Sequence, residues 1–190
     1  MSVLSELALS IITPPVCKPW PSNLCVCLLA IQVNYLSTAL IALIILPFLK
    51  SSPSNPAPPV LTFVTSSAVY PASFTLGMPK TGSYLKRLSN NKDGLQQGHQ
   101  YGRSKVLLLY FARELAARTS ASGKRVTITS ADPGSAWTPL TAANREQLIP
   151  RLIMDLGARD PQFGANTLVN GASAPEENHG KIIMDFDTAE

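Results

Sequence analysis

Hydrophobic and polar positions along the chain alternate between helical and strand-like patterns. Val33–Leu49 is apolar around almost its whole circumference, which predicts a helix that other elements cover on more than one side. After a proline cluster, Val60–Thr65 is a short β-branched run, typical of parallel strands buried on both faces. Gln100–Arg118 is the clearest helix, because it ends on a basic residue before a Ser-Ala-Ser-Gly stop.

Two further strand patterns follow this helix. Arg125–Thr129 and Lys181–Met184 are short runs rich in β-branched and apolar residues. Residues 71–99 are instead rich in glycine, serine, asparagine and lysine, so we expect them to form a long surface insertion. Right-handed crossovers between alternating helices and strands would give a parallel sheet with helices on both faces. The predicted fold class is therefore α/β, a Rossmann-like parallel sheet flanked by helices.

The first part of the chain lacks charge, which raises the alternative of a membrane span. No Asp, Glu, Lys or Arg occurs from Pro19 to Leu49, and about 20 apolar residues cross a bilayer. Polar residues interrupt this run, and its longest strictly apolar piece, Ala39–Leu49, suits a buried core helix better. A secretory signal is also disfavoured, since the first residues include Glu6 and no basic segment. We expect a cytoplasmic protein, with membrane anchoring as the alternative.

Composition narrows the function further. Of 190 residues, 45% are hydrophobic and 15% charged, which suits one packed core and argues against disorder. The net charge of +4 is spread along the chain without the dense basic stripe that phosphate backbones require, so we expect no nucleic-acid partner. The three cysteines, Cys17, Cys25 and Cys27, have no second cluster to pair with, so we expect neither a disulfide framework nor a metal site.

Tyr101 and Lys105 are the first candidates for chemistry. They lie four residues apart on the predicted helix and therefore share one face. An ammonium near a phenol favours the phenolate and lowers the pKa of the phenol toward neutrality, which suits a group that exchanges a proton with a carbonyl oxygen. Such pairs are also common on solvated helices, so the pair needs support from its surroundings.

Polar residues at the ends of neighbouring elements provide that support. Ser66 follows the first predicted strand, at the sheet edge where open α/β sheets bind their ligands. Asn34 stands at the start of the apolar helix, and Pro133–Thr138 directly follows the second strand. These residues are expected to face one crevice together with Tyr101.

In these motifs the sequence resembles the short-chain dehydrogenase/reductase family. The family's Tyr-x-x-x-Lys motif stands here as Tyr101 and Lys105, and its catalytic serine matches Ser66, with Ser67 as the alternative. Its active-site asparagine looks like Asn34.

The later segments extend the resemblance. The loop after the second strand matches Asp132–Thr138, and the tail around His179-Gly180-Lys181 is similar to the ends of many fungal members that tailor secondary metabolites. The resemblance covers residues 32–190, which would be the catalytic portion, and leaves 1–31 as an atypical N-terminal segment.

The resemblance implies a role for each site residue. Tyr101 would exchange a proton with the substrate, while Lys105 would lower the pKa of Tyr101 and bind the nicotinamide ribose. Ser66 would orient the substrate carbonyl, and Asn34 would hold a water that relays protons to Lys105. The further cofactor contacts would be Pro133, Gly134 and Thr138.

The sequence departs from the family in its glycines. Members begin with a glycine-rich turn that holds the cofactor diphosphate, whereas the first glycine here is Gly77. An Asn-Asn-Ala-Gly strand end is also missing. We therefore expect the adenosine half of the site to be absent and the N-terminus to be shortened or wrongly read from its gene.

These observations predict an oxidoreductase that interconverts a ketone and an alcohol on a small hydrophobic metabolite, in fungal secondary metabolism. The cofactor implied is NADP, with NAD as the alternative. The alternative functions are an inactive, truncated reductase-like fragment that acts through subunit pairing, and a membrane-anchored protein. We also expect Ser66 and Tyr101 to converge on one substrate oxygen, and the two long helices to pack together as buried helices that pair two copies of the chain.

Overall fold

The computed structural model describes residues 29–53, 57–70, 72, 97–121, 123, 126–137, 157–184 and 187–189. Most of the predicted insertion 71–99 and of the segment 1–31 lies outside these residues. The chain divides into two compact units, one formed by residues 1–40 and 68–108 and the other by 41–67 and 109–190. The elements are α1 (Leu29–Ser51), β1 (Val60–Val64), α2 (Gln97–Ala121), β2 (Thr127–Asp132), α3 (Pro161–Ala172), β3 (Ile182–Met184) and β4 (Asp187–Ala189).

The second unit contains a four-stranded sheet in the order β1-β2-β3-β4. The first three strands are parallel, and β4 is antiparallel to β3. The three predicted strands are confirmed, although β2 lies two to three residues further along the chain than its pattern indicated. The predicted Rossmann-like α/β class is also confirmed.

Adjacent residues of β1 show how the two faces of this sheet are covered. Phe63 is buried and packs edge-on against Phe111 of α2, with ring centroids 5.9 Å apart. Thr62 points to the opposite face, where a Cβ on Gly171 of α3 would lie only 3.0 Å from its Cγ2. Helices therefore cover both faces, and this explains why every residue of β2 is buried.

Helix α3 and strand β4 are the elements that the sequence patterns did not reveal. The local signal for α3 is the pair Asp160-Pro161: the Asp160 carboxylate accepts a hydrogen bond of 2.8 Å from the Gln162 backbone N–H, and proline fits the first turn of a helix. Strand β4 spans only Asp187–Ala189, too short for a periodic pattern.

His179 ties three elements of the second unit together. Its Nδ1 accepts a hydrogen bond of 3.1 Å from the backbone N–H of Ile128 in β2, so this nitrogen carries no proton. The proton of the neutral ring therefore sits on Nε2, which lies 3.0 Å from both the Ala116 carbonyl oxygen and the Ser120 hydroxyl of α2. The histidine of the family-like tail thus has a structural role between helix and sheet.

We expect His179→Ala to lower the free energy of unfolding by about 1–3 kcal/mol, because it leaves the Ile128 N–H without its acceptor. Urea unfolding followed by circular dichroism measures the change. Glu177→Ala, at an exposed position in the same turn, is the control and should stay within about 0.5 kcal/mol of the wild type. Equal stabilities of the two variants would contradict the role given to His179.

Helix α1 is less buried than its sequence predicted. Its buried apolar residues include Ala39, Ala42 and Leu46, whose spacing of three and four forms a single stripe. Exposed fractions of 50–70% are found for Leu40, Ile41, Leu43, Ile44 and Phe48. Among the residues that the structure describes, a single stripe of α1 is buried, so the expectation of cover on more than one side is wrong for the single chain.

The length and composition of α1 also meet the criteria for a membrane span. Among the described residues, Leu29–Ser51 is the helix that is long and apolar enough to cross a bilayer, with a mean hydropathy of 2.0. Core helices of soluble proteins and signal sequences satisfy the same criteria, so this finding alone does not assign α1 to a membrane.

Candidate active site

Tyr101 and Lys105 lie side by side near the start of α2. The Lys105 Nζ is 5.7 Å from the centroid of the Tyr101 ring, within the range of a cation–π contact. Tyr101 is 40% exposed, and Lys105 is half-buried. The predicted shared face is confirmed, with a positive charge beside a phenol that an outside molecule can reach.

The side chain of Asn34 contacts α2 through the hydroxyl of Ser104. It lies in a π-helical turn of α1, Gln32–Ser37, and its side-chain N–H donates to the Ser104 Oγ over 3.0 Å. The Ser104 hydroxyl in turn donates to the carbonyl oxygen of Tyr101 over 2.7 Å. The predicted packing of the two long helices is confirmed at this point, and Ser104 is a residue that the sequence analysis did not single out.

Gly102 allows the chain after Ser66 to approach the Tyr101 turn closely. A Cβ on Gly102 would lie 2.6 Å from the carbonyl oxygen of Ala68 and 3.0 Å from the Cβ of Ala72. Real Cβ atoms do not approach a backbone oxygen so closely, so only glycine fits at this position. The sequence signal was present, as glycine is rare inside helices without a reason of this kind.

We expect Gly102→Ala to destabilise the protein by about 1–3 kcal/mol, because the added methyl group forces apart two backbone segments. This steric cost opposes the gain of roughly 1 kcal/mol that alanine normally brings to a helix. Gly157→Ala is the matched control, since a Cβ there would meet nothing within 4 Å. If both variants unfold at the same urea concentration, the steric role given to Gly102 is contradicted.

Ser66 lies two residues beyond the end of β1. The Thr65 N–H still donates to the Ala131 carbonyl oxygen over 2.9 Å, so parallel pairing persists up to the residue before it. Ser66 is half-buried, while the alternative, Ser67, is exposed and opens a short 3-10 turn. Because Ser66 and Tyr101 belong to different units, their convergence on one substrate oxygen stays a prediction.

The Pro133–Gly134 turn follows β2 and has a fixed backbone. Gly134 has a φ of +71°, and its N–H donates over 2.9 Å to the carboxylate of Asp132, which is buried. A Cβ on Gly164 of α3 would lie 2.9 Å from the Pro133 carbonyl oxygen, so helix and turn are in close contact. Thr138, the third predicted cofactor contact in this loop, lies outside the described residues.

Two further observations concern the immediate neighbours of the candidate residues, each within its own unit. A Cβ on Gly134 would come within 3.2 Å of the Arg159 side chain, so this side chain packs directly against the turn. Gln100, immediately before Tyr101, and Thr65, immediately before Ser66, carry buried polar atoms without hydrogen-bond partners. Such atoms are costly unless they serve a bound polar group or water.

Comparison with known proteins gives a consistent set of relatives. The chain is 33% identical to the short chain dehydrogenase resG of Aspergillus sclerotiorum over 168 residues, 81% of this chain and 45% of that protein. It is 32% identical to the short chain dehydrogenase atnD of Emericella nidulans over 165 residues, 82% of this chain and 51% of that protein. The chain therefore spans about half the length of these curated relatives. No family profile matches it.

Solved structures show the same fold. The 3-alpha-hydroxysteroid dehydrogenase from Pseudomonas sp. B-0831, complexed with NADH, superposes with a TM-score of 0.63 at 19% identity, over 83% of this chain and 64% of that one. Salutaridine reductase from Papaver somniferum gives a TM-score of 0.62 at 18% identity, over 94% and 62% of the two chains.

A parallel sheet between helices, with a tyrosine and a lysine one turn apart on the helix after its first strand, is typical of the Rossmann-like α/β class. Within that class, the chain is similar in sequence to fungal short-chain dehydrogenases/reductases, as its motifs predicted, and it has the fold of solved members of that family.

Proposed function

We propose that this chain forms the proton-transferring half of a nicotinamide-dependent oxidoreductase that interconverts a ketone and an alcohol on a small hydrophobic metabolite. The observation that carries the proposal is the Tyr101–Lys105 pair, in which a partly exposed phenol has an ammonium 5.7 Å from its ring. The curated fungal relatives are named short chain dehydrogenases or reductases, which supports the same class of chemistry.

Tyr101 is the proposed proton donor in reduction and acceptor in oxidation. The positive charge of Lys105 stabilises the phenolate that remains after the proton has left. Ser66 is proposed to donate a hydrogen bond to the substrate oxygen from the end of β1. Asn34 is proposed to hold the water that returns protons toward Lys105.

The cofactor is proposed to be NADP, with NAD as the alternative. Lys105 would hold the nicotinamide ribose, Pro133 and Gly134 would lie along the ring, and Thr138 would hold its carboxamide. A bound nicotinamide supplies or accepts the hydride. The choice between NADP and NAD depends on a residue of the glycine-rich half, so residues 32–190 are compatible with either.

The test is an extended enzyme, in which the glycine-rich half of a fungal relative such as atnD precedes residues 32–190. Consumption of NADPH, followed by its absorbance, is measured with a panel of hydrophobic ketones and aldehydes. We expect substrate-dependent turnover. An extended enzyme that folds and binds NADPH but turns over no carbonyl compound would favour the alternative of an inactive reductase-like fragment.

A homodimer is the proposed assembly, through the exposed apolar side chains of α1 together with Tyr110 of α2, which is 60% exposed. Apolar side chains in this number gain stability when a second copy removes them from water. Sedimentation velocity should show a dimer of the 190-residue chain, and Leu40→Glu with Ile44→Glu should shift it to monomer. A wild-type chain that remains monomeric at high concentration would refute this assembly.

Membrane attachment through α1 is the second candidate, favoured by the length and hydropathy of Leu29–Ser51. We propose a cytoplasmic location instead, because polar residues such as Gln32 and Asn34 interrupt the helix. Alkaline carbonate extraction of membranes from expressing cells distinguishes the two. A chain that stays in the membrane pellet would support the span.

A further inference from the structure

Ser104 occupies the buried side of α2 between the two proposed catalytic residues. It is completely buried, with an exposed fraction of 0%. Tyr101 lies three residues before it and Lys105 follows it, so all three belong to the same turn of the helix. No step of the proposed reaction uses this hydroxyl, so any role of Ser104 must come from its two hydrogen bonds.

The hydrogen bonds of Ser104 have only one consistent arrangement. A serine hydroxyl carries one proton, and the 2.7 Å contact with the Tyr101 carbonyl oxygen uses it. The oxygen can therefore only accept from Asn34, which requires the side-chain N–H of Asn34 to face it over 3.0 Å. One hydroxyl thus fixes both the orientation of the Asn34 amide and its distance from the backbone of Tyr101.

The element that Asn34 belongs to makes this contact important. A π-helical turn, with hydrogen bonds between residues five apart, is rare and occurs mostly as a single-turn bulge inside an α-helix, frequently at functional sites. The turn Gln32–Ser37 is further held by the Thr38 hydroxyl, which donates to the Val33 carbonyl oxygen over 3.0 Å. Through its hydroxyl, Ser104 joins Asn34 of this turn to the helix of Tyr101.

We propose that Ser104 is a positioning residue, which sets Asn34 of the π-helical turn against the Tyr101–Lys105 turn and thereby aligns the path by which protons reach Lys105. The catalytic effect of this positioning rests on the proposed function. The contact itself, between residues 70 positions apart, does not depend on any activity.

The test is a double-mutant cycle with Ser104→Ala and Asn34→Ala, read out in two ways. In urea unfolding of the full 190-residue chain, each single variant should lower the midpoint, and the double variant should lower it by less than the sum of the two. In the extended enzyme, each single variant should lower kcat about tenfold with KM values within threefold of wild type, and the double variant should be no slower than the slower single variant.

Conservative variants separate positioning from simple damage. Ser104→Thr keeps the hydroxyl and should restore kcat to within about threefold of wild type, since threonine also bonds carbonyls one turn back. Asn34→Asp is isosteric but cannot donate to Ser104, so it should lose kcat like Asn34→Ala while remaining folded. Ser173→Ala, at an exposed serine that also donates to a helix carbonyl, should leave kcat unchanged.

The outcomes are distinguishable. Additive effects in both readouts, or full kcat in a folded Ser104→Ala enzyme, would overturn the proposal. The unfolding cycle could be non-additive while the extended wild-type enzyme turns over no carbonyl compound. That result would uphold the contact between Ser104 and Asn34, but it would refute the proposed function and, with it, the catalytic consequence.

Discussion

Tyr101→Phe should lower carbonyl reduction by the extended enzyme at least about 100-fold, and up to about 10,000-fold, the range that general acid catalysis contributes. Phenylalanine keeps the ring that lies 5.7 Å from the Lys105 Nζ and removes only the hydroxyl. The loss should therefore appear in kcat, with cofactor and substrate KM values nearly unchanged.

Tyr110→Phe is the matched control for this experiment. Tyr110 lies on the same helix and is 60% exposed, and the substitution removes the same hydroxyl. Its rate should equal that of the wild type. If Tyr101→Phe also keeps the wild-type rate, the assignment of the proton donor is wrong, whatever family the chain belongs to.

The second large effect concerns the cofactor. The 190-residue chain should bind NADPH roughly 100-fold or more weakly than the extended enzyme, because two lost charge-assisted hydrogen bonds at about 1.5–3 kcal/mol each suffice for that difference. The reason lies in these 190 residues, which contain no glycine before Gly77 and thus offer no glycine-rich turn ahead of β1. Titration monitored by NADPH fluorescence measures both affinities.

The matching prediction for turnover is equally direct. The 190-residue chain alone should oxidise little or no NADPH in the presence of a ketone. Robust ketone-dependent turnover by this chain would mean that its diphosphate site is built without glycine. In that case the expected absence of the adenosine half would be wrong.

The sequence was sufficient to predict the elements that rest on local pattern. β1 and α2 were predicted within a few residues of their bounds, because β-branched runs and a basic helix end are local signals. The Tyr101–Lys105 contact was also predictable, since residues four apart on a helix share a face.

Contacts between distant segments were beyond the same reasoning. The bond between Asn34 and Ser104 joins positions 70 residues apart, and nothing in either local pattern indicates it. The close approach of Ala68 to Gly102 likewise depends on how two segments pack. The exposure of α1 was missed because an apolar circumference indicates the need for cover but does not show whether the chain itself supplies it.

The most direct test of the central claim follows the transferred atom. The extended enzyme is given a hydrophobic ketone and NADPH deuterated at the transferable position of the nicotinamide, and the alcohol is analysed by mass spectrometry. If residues 32–190 form the proton-transferring half of a nicotinamide-dependent reductase, the alcohol gains one deuterium on carbon, and Tyr101→Phe suppresses its formation. Alcohol without deuterium, or no alcohol from a folded enzyme that binds NADPH, would contradict the account.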